Sequence, residues 1–216
     1  MEVALLLLCA YLIGSIPFGM IVGLSRGVDI RKHGSGNIGA TNVLRLLGPG
    51  PAALVFVGDT VKGVVPVMVG ARLLDAWAVP RADLWLMALA LAPILGHTFP
   101  IFLRFRGGRA VATTLGALLG MSWRAGVIGL GIWIVVVALT RYISLASIIA
   151  APSVPVYLAL AGGSSVWCIF WAAIAALIVL RHIPNIRRLR QGTEPKVGQR
   201  SGATDPGIAS GEGEGT

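Results

Sequence analysis

The chain has 216 residues, of which 56% are hydrophobic and only 12% charged, with a mean hydropathy of +0.82. A water-soluble domain of this size carries about 25% charged residues, so the composition excludes a soluble globular protein and requires that most of the surface face lipid. The net charge of +9 sits in short segments between apolar runs, which argues against nucleic acid as a partner and fits the positive-inside pattern together with an anionic substrate.

A helix that crosses a bilayer needs about 20 mostly apolar residues. Residues 3–24 form the first such run, interrupted by Pro17 and Gly19. It opens Met1-Glu2-Val3, without a basic n-region or a small-residue cleavage signature, and reads as a retained span rather than a signal peptide. A polar, glycine-rich stretch over 25–50 precedes the second run, 51–74, in which Asp59 and Lys62 are embedded; the third is 84–103. The fourth, 110–121, is short and is expected to be a compact span or a re-entrant helix. Runs at 126–139, 145–161 and 166–180 complete the set, and beyond Arg181 the chain turns basic. From Val197 it is rich in Gly, Ser and Glu, and such a tail is expected to be disordered because it has nothing apolar to bury.

The expected fold is therefore all-α and polytopic, one membrane-embedded domain over 1–196 with a cytoplasmic tail at 197–216. With seven spans, Arg26, Arg31, Lys32, Arg45, Arg104, Arg106, Arg109, Arg141, Arg181, Arg187, Arg188, Arg190, Lys196 and Arg200 fall on one side, 14 of the 18 basic residues. That asymmetry predicts an N-terminus outside and a C-terminus in the cytoplasm. A five-span arrangement with two re-entrant pieces gives the same sidedness. Cys9 and Cys168 lie inside apolar runs without C-x-x-C spacing and read as small packing residues.

Five polar clusters punctuate these runs, all predicted on the same face. In 34–45, glycines including Gly36 let backbone N–H groups approach an anion; Ser35, Asn37, Thr41 and Asn42 add neutral donors, and Arg45 a bidentate phosphate clamp. Asp59 and Lys62, three apart, share a helix face and, as charges inside a span, must pair or face a polar cavity. His97 is followed by Arg106-Gly107-Gly108-Arg109, where two glycines opening an apolar helix make an anion-attracting N-terminus. Ser144 and Ser147 follow Arg141 at a segment junction, where either could instead cap the next helix. The last cluster holds Arg181, His182 and Asn185, then Gly192-Thr193-Glu194; its bland alternative is a basic stretch on anionic lipid.

Together these motifs resemble the acyl-phosphate-dependent glycerol-3-phosphate acyltransferases of bacterial membranes, the PlsY family. The likeness covers about residues 1–196 and rests on 35–45, on Gly96-His97-Thr98-Phe99-Pro100 with Phe105 to Arg109, on Arg181-His182 with Asn185, and on Gly192-Thr193-Glu194. The early Gly14-Ser15-Ile16-Pro17-Phe18-Gly19 adds to it. The resemblance implies seven helices, a cytoplasmic site in the bacterial plasma membrane, and acyl transfer from acyl phosphate to the 1-hydroxyl of glycerol 3-phosphate. The products are lysophosphatidic acid and phosphate. Two departures stand out: arginine at 106 and 109 where the family usually has lysine, a larger and bidentate group, and Ile183 at a commonly basic position.

Because acyl phosphate is a mixed anhydride with a good leaving group, positioning and charge stabilisation suffice without a covalent intermediate or cofactor. In this reading Lys62, Arg45, Arg106 and Arg109 share the two phosphates, and Ser35 and Asn37 hold one phosphate and the developing oxyanion. Ser144, His182 and Asn185 position glycerol phosphate, with His97 a further candidate for positioning or proton transfer. The base is either His182 or a substrate phosphate oxygen. No histidine has an aspartate five positions on, against a histidine–aspartate mechanism, and the nine carboxylates are scattered rather than grouped for a metal. The rival reading is a transporter of phosphate or organic phosphates, for which related halves would be expected. The sequence carries no convincing internal repeat.

Overall fold

In lipid only the chain itself can satisfy backbone N–H and C=O groups, so apolar runs of this length become helices. The computed structural model describes residues 1–199, and among them every regular element is helical. In chain order these are α1 (Glu2–Ser15), α2 (Phe18–Leu24), α3 (Ala40–Leu47), α4 (Pro49–Ala76), α5 (Ala82–Thr98), a 3-10 turn (Ile101–Leu103), α6 (Val111–Met121), α7 (Trp123–Thr140), α8 (Ile143–Leu160), α9 (Ser165–Arg181) and α10 (Ile183–Arg190). Most of the expected tail, 200–216, lies outside the described residues.

All seven apolar runs are helical. Five segments have the length and composition of a full crossing, beginning with α1 and α2 taken together, and α9 with α10 makes a sixth that is bent by 57°. α6 is different. Its 11 residues rise about 16 Å, roughly half of a hydrocarbon core about 30 Å thick. The reason is local. After the 3-10 turn the chain doubles back, and the Gly107 and Gly108 amides donate to the carbonyls of Thr98 (3.2 Å) and His97 (3.0 Å). α6 therefore starts beside the last turn of α5.

Small residues bring the helices together, as expected where lipid removes the hydrophobic drive for association. A Cβ on Gly63 would strike the Thr113 carbonyl and one on Gly116 the Thr60 carbonyl, locking α4 to α6; Gly14 on Pro93 and Gly96 on Tyr11 do the same for α1 and α5. Val67, Ile94, Leu118, Val154, Trp171 and Ile174 fill the main core. The 25–39 loop is not loose, since Ile30 and Ile38 are buried against Met20, Val43 and Val55. After α10 the chain returns across the start of α8. There Val197 N–H donates to the Arg141 carbonyl (2.8 Å), the Arg141 guanidinium donates to the Val197 carbonyl (2.7 Å), and Lys196 lies 5.3 Å from the Tyr142 ring centre.

Candidate active site

The five clusters meet at one cavity of about 140 Å³. One end is polar, lined by Asn37, Asp59, His97, Arg109, Ser144, His182, Asn185 and Glu194; the other is apolar, with Leu115, Leu118, Leu130, Trp133 and Val154. Three helices begin on it: Ala40 and Thr41 of α3, Val111 and Ala112 of α6, and Ile143 and Ser144 of α8 line the wall. The first turn of a helix leaves N–H groups without intrahelical partners and carries the positive end of the macrodipole, so three such starts favour anions.

The cations are arranged around a single carboxylate. Glu194 accepts from Asn185 Nδ2 and from Arg188 Nε, both at 2.7 Å, and Arg45 stands 3.7 Å away. Burial would raise the Glu194 carboxyl, but the hydrogen bonds from Asn185 and Arg188 and the charge of Arg188 outweigh it and hold the pKa below its ordinary value. Burial and then the neighbouring Arg188 push Arg109 down to about 10, with Arg45 and Arg181 adding repulsion that Glu194 only partly offsets. Burial likewise lowers Arg45. Positive charge thus exceeds negative at this end of the cavity. Three buried polar atoms beside Glu194 also lack a hydrogen bond: Ser144 Oγ, Asn185 Oδ1 and one terminal nitrogen of Arg188. Native interiors rarely leave such groups unpaired.

Of the residues singled out from the sequence, Asn37, His97, Arg109, Ser144, His182, Asn185 and Glu194 line the cavity. His182 has its Nδ1 2.7 Å from the Ile178 carbonyl. A carbonyl can only accept, so Nδ1 carries the proton and the neutral ring keeps its lone pair on Nε2. Arg45 is nearly buried beside Glu194.

Others take different places. Asn42 is consumed by the loop: its Oδ1 accepts from Ser35 N–H (2.9 Å) and its Nδ2 donates to the carbonyls of Ile30 and His33 (2.8 and 3.2 Å). It shapes the 34–42 turn, where Gly34 and Gly36 adopt left-handed φ of 60° and 66°, rather than lining the cavity. Ser35 and Gly36 are also off the cavity wall, and Arg106 is exposed. Gly107 and Gly108 do not offer amides to an anion, because those amides hold the α5 carbonyls. They must be glycine because a Cβ on Gly107 would strike the His97 carbonyl and one on Gly108 the His97 ring. The free helix-start amides lie a few residues later, at the beginning of α6.

Lys62, expected to contact phosphate, is not among the residues that line the cavity. It is 3% exposed and sits one layer behind the wall, with Nζ 2.7 Å from Asp59 Oδ1 and 2.9 Å from the Ile16 carbonyl. The helix breaks at Pro17, where the Ile16 carbonyl accepts the Phe18 N–H (3.2 Å), and the embedded lysine gives that carbonyl a second donor across the gap in the first span. Asp59 reaches the cavity instead, with His97 Nδ1 3.6 Å from the same oxygen. Two arginines carry more than the sequence suggested. Arg181 donates to the carbonyls of Gly107 (2.9 Å) and Gly108 (3.2 Å), fixing the loop that presents Arg109, and Arg188 binds Glu194. Their basic character was visible; their partners are 73 and 74 residues away or hidden in the fold.

The glycerol-3-phosphate acyltransferase family model matches residues 4–192. A glycerol-3-phosphate acyltransferase of Geobacter sulfurreducens is 46% identical over 86% of this chain and 92% of its own. One from Geotalea daltonii is 44% identical over 88% and 94%. Two crystal structures of PlsY, described as an integral membrane glycerol 3-phosphate acyltransferase, superpose with TM-scores of 0.84 (glycerol 3-phosphate form, 38% identity) and 0.81 (lysophosphatidic acid form, 37% identity). Each match covers 92% of this chain and 96% of the other.

Proposed function

The chain belongs to the glycerol-3-phosphate acyltransferase family, and on that premise we propose that it transfers a fatty acyl group from acyl phosphate to the 1-hydroxyl of glycerol 3-phosphate. The observation that carries this is a cavity whose cationic, hydrogen-bond-hungry end runs directly into an apolar end. Phosphate, polyol and acyl chain each find matching surroundings in one continuous space.

The chemistry needs few groups. The 1-hydroxyl oxygen attacks the acyl carbon, the bond from that carbon to the phosphate-bridging oxygen breaks, and inorganic phosphate departs with the bonding pair. The hydroxyl proton goes to Nε2 of His182 or to a phosphate oxygen. Amides at the α6 start with Arg109 stabilise the oxygen that gains charge in the tetrahedral state. Arg45 and Arg188 hold phosphate, and Ser144 Oγ and Asn185 Oδ1, which have no partner in the fold, bind the glycerol hydroxyls. His97, steadied by Asp59, supports Arg109 through the loop packed on its ring.

The basic asymmetry supports a site facing the cytoplasm of a bacterial plasma membrane, with α6 as a short seventh crossing between a sunken loop and Ser122. On this reading the N-terminus lies outside. Single cysteines near residues 2, 106 and 122, probed with a membrane-impermeant thiol reagent, test it: labelling of positions 106 and 122 from the same side removes α6 as a crossing.

Purified protein in detergent, given a long-chain acyl phosphate with or without glycerol 3-phosphate, tests the reaction. Lysophosphatidic acid and phosphate should form together and only with both substrates. Phosphate release without glycerol 3-phosphate dependence would make the protein a hydrolase; the absence of any product would return the transport reading.

A further inference from the structure

The apolar end of the cavity lies between α6, α7 and α8, and its width depends on a side chain that α7 lacks. Gly129 lines it, and a Cβ there would stand 3.2 Å from Val154 Cγ2 and 4.0 Å from Leu118 Cδ2. Neither neighbour is backbone. This separates Gly129 from Gly14, Gly63, Gly96 and Gly116, whose absent side chains let two helices touch. What Gly129 provides is empty volume inside the cavity. One turn on, the Trp133 indole is pinned: Nε1 donates to Ser147 Oγ (3.1 Å), which itself donates to the Ile143 carbonyl (3.0 Å). Trp133 is thus a fixed wall, whereas the stretch by Gly129 ends on two aliphatic side chains. Leu118 and Val154 also border a second void of about 30 Å³ beneath Trp171, so with Thr114, Ala151 and Ile178 they form the partition between the two spaces.

We propose that the gap at Gly129 receives the far end of the fatty acyl chain, and that Gly129, Leu118 and Val154 set the chain length the enzyme accepts. This rests on the acyl-phosphate reading above. A chain reaching along the cavity from the acyl carbon meets these residues at its end. Each methylene that fits the gap raises kcat/KM about fourfold, the gain of one buried CH₂. A methylene beyond it must displace Leu118 or Val154 and loses that gain. The position of the partition then appears as the longest chain used well.

The experiment compares wild type, Gly129→Ala, Gly129→Val and Leu118→Ala, each purified in detergent, on even-numbered saturated acyl phosphates from short to long. Gly129→Ala should leave turnover of short donors near wild type and lower kcat/KM for the longest about fourfold. Gly129→Val should deepen that loss to tenfold or more and move the optimum shorter. Leu118→Ala, by joining the two voids, should move the optimum longer. Alanine suits a helix better than glycine, and retained short-donor activity certifies that the variant is folded. A uniform loss across all donors, or unchanged profiles in both Gly129 variants, overturns the proposal. If wild type itself makes no lysophosphatidic acid from any donor, the acyl-phosphate reading has failed instead.

Discussion

Lys62 offers the sharpest test of how the site is supported, because a lysine buried behind the cavity wall can act on substrate or on its neighbours. Lys62→Met removes one partner of an ion pair whose members are 2% and 3% exposed, and strands the Asp59 carboxylate in a medium that cannot solvate it. It also withdraws the donor 2.9 Å from the Ile16 carbonyl. Breaking a buried pair from one side costs about 3–5 kcal/mol, a large share of the roughly 5–15 kcal/mol that holds a domain together. Asp59→Asn should be as damaging, since it strands the ammonium. Removing both charges is often close to neutral. The double variant should then have a higher thermal midpoint in detergent than either single variant, and the double-mutant cycle should show strong non-additivity. Phosphate release gives the second readout. If Lys62 acts only through Asp59, its loss in an Asp59→Asn background should change kcat little. Additive stability losses would refute the pairing argument. An activity loss from Lys62→Met of equal size with or without Asp59 would place the ammonium on the substrate after all.

Asn185→Ala removes the donor to Glu194 and an unpaired acceptor at the polyol end; losing hydrogen bonds to charged groups at about 1.5–3 kcal/mol each should lower kcat/KM for glycerol 3-phosphate some 10- to 100-fold, read by titrating that substrate alone. Arg181→Lys keeps the charge but cannot span the Gly107 and Gly108 carbonyls with a rigid fork, so KM should rise several-fold with a modest change in kcat, whereas Arg181→Ala should also lower the thermal midpoint. If His182 is the base, His182→Asn should abolish turnover while glycerol 3-phosphate still protects against heat; loss of that protection would assign the ring to positioning. The Glu194 carboxyl is held below 4.5 in the fold, so between the folded and unfolded pKa the unfolded chain binds more protons. Its contribution to stability should be complete above pH 4.5 and vanish as pH falls through the lower folded value, and Glu194→Gln should flatten that part of the midpoint-versus-pH curve.

The helices were legible because lipid makes long apolar runs speak for themselves, and the clustered polar motifs announced one site because charge near a bilayer needs a reason. What the sequence obscured was depth. Nothing in 104–110 says that the chain dives back beside His97, since that depends on Gly107 and Gly108 amides finding carbonyls of the preceding helix. Hence α6 was readable as short but not as starting sunken. The same limit hid the partners of several polar residues. Asn42 and Lys62 have the chemistry of phosphate ligands, yet they serve the Ser35 amide and the Ile16 carbonyl, acceptors and donors that exist only because the 34–42 turn and the Pro17 break have those shapes. Arg181 erred the other way, its role set by two carbonyls presented from a distant loop.

Charge accounting favours two phosphates over one in the proposed reaction. Arg45, Arg109, Arg181 and Arg188 act on one another across the polar end, while Asp59 is already matched by Lys62 and, among the described residues, Glu194 is left to oppose the four. Three positive charges are left over. A single phosphate monoester brings roughly −1.5 to −2 and would leave the cavity still cationic and the arginines still repelling. Two phosphates bring about −3 to −4, which carries the site to neutrality or slightly past it. Acyl phosphate and glycerol 3-phosphate together therefore suit these cations better than either alone, and binding of the first should strengthen binding of the second until like-charge repulsion between the phosphates sets in. Measured in calorimetry with inorganic phosphate standing for the donor, glycerol 3-phosphate should bind no more weakly in its presence; simple competition, with affinity falling in proportion to phosphate, would mean the cations form one anion site and the two-phosphate geometry is wrong.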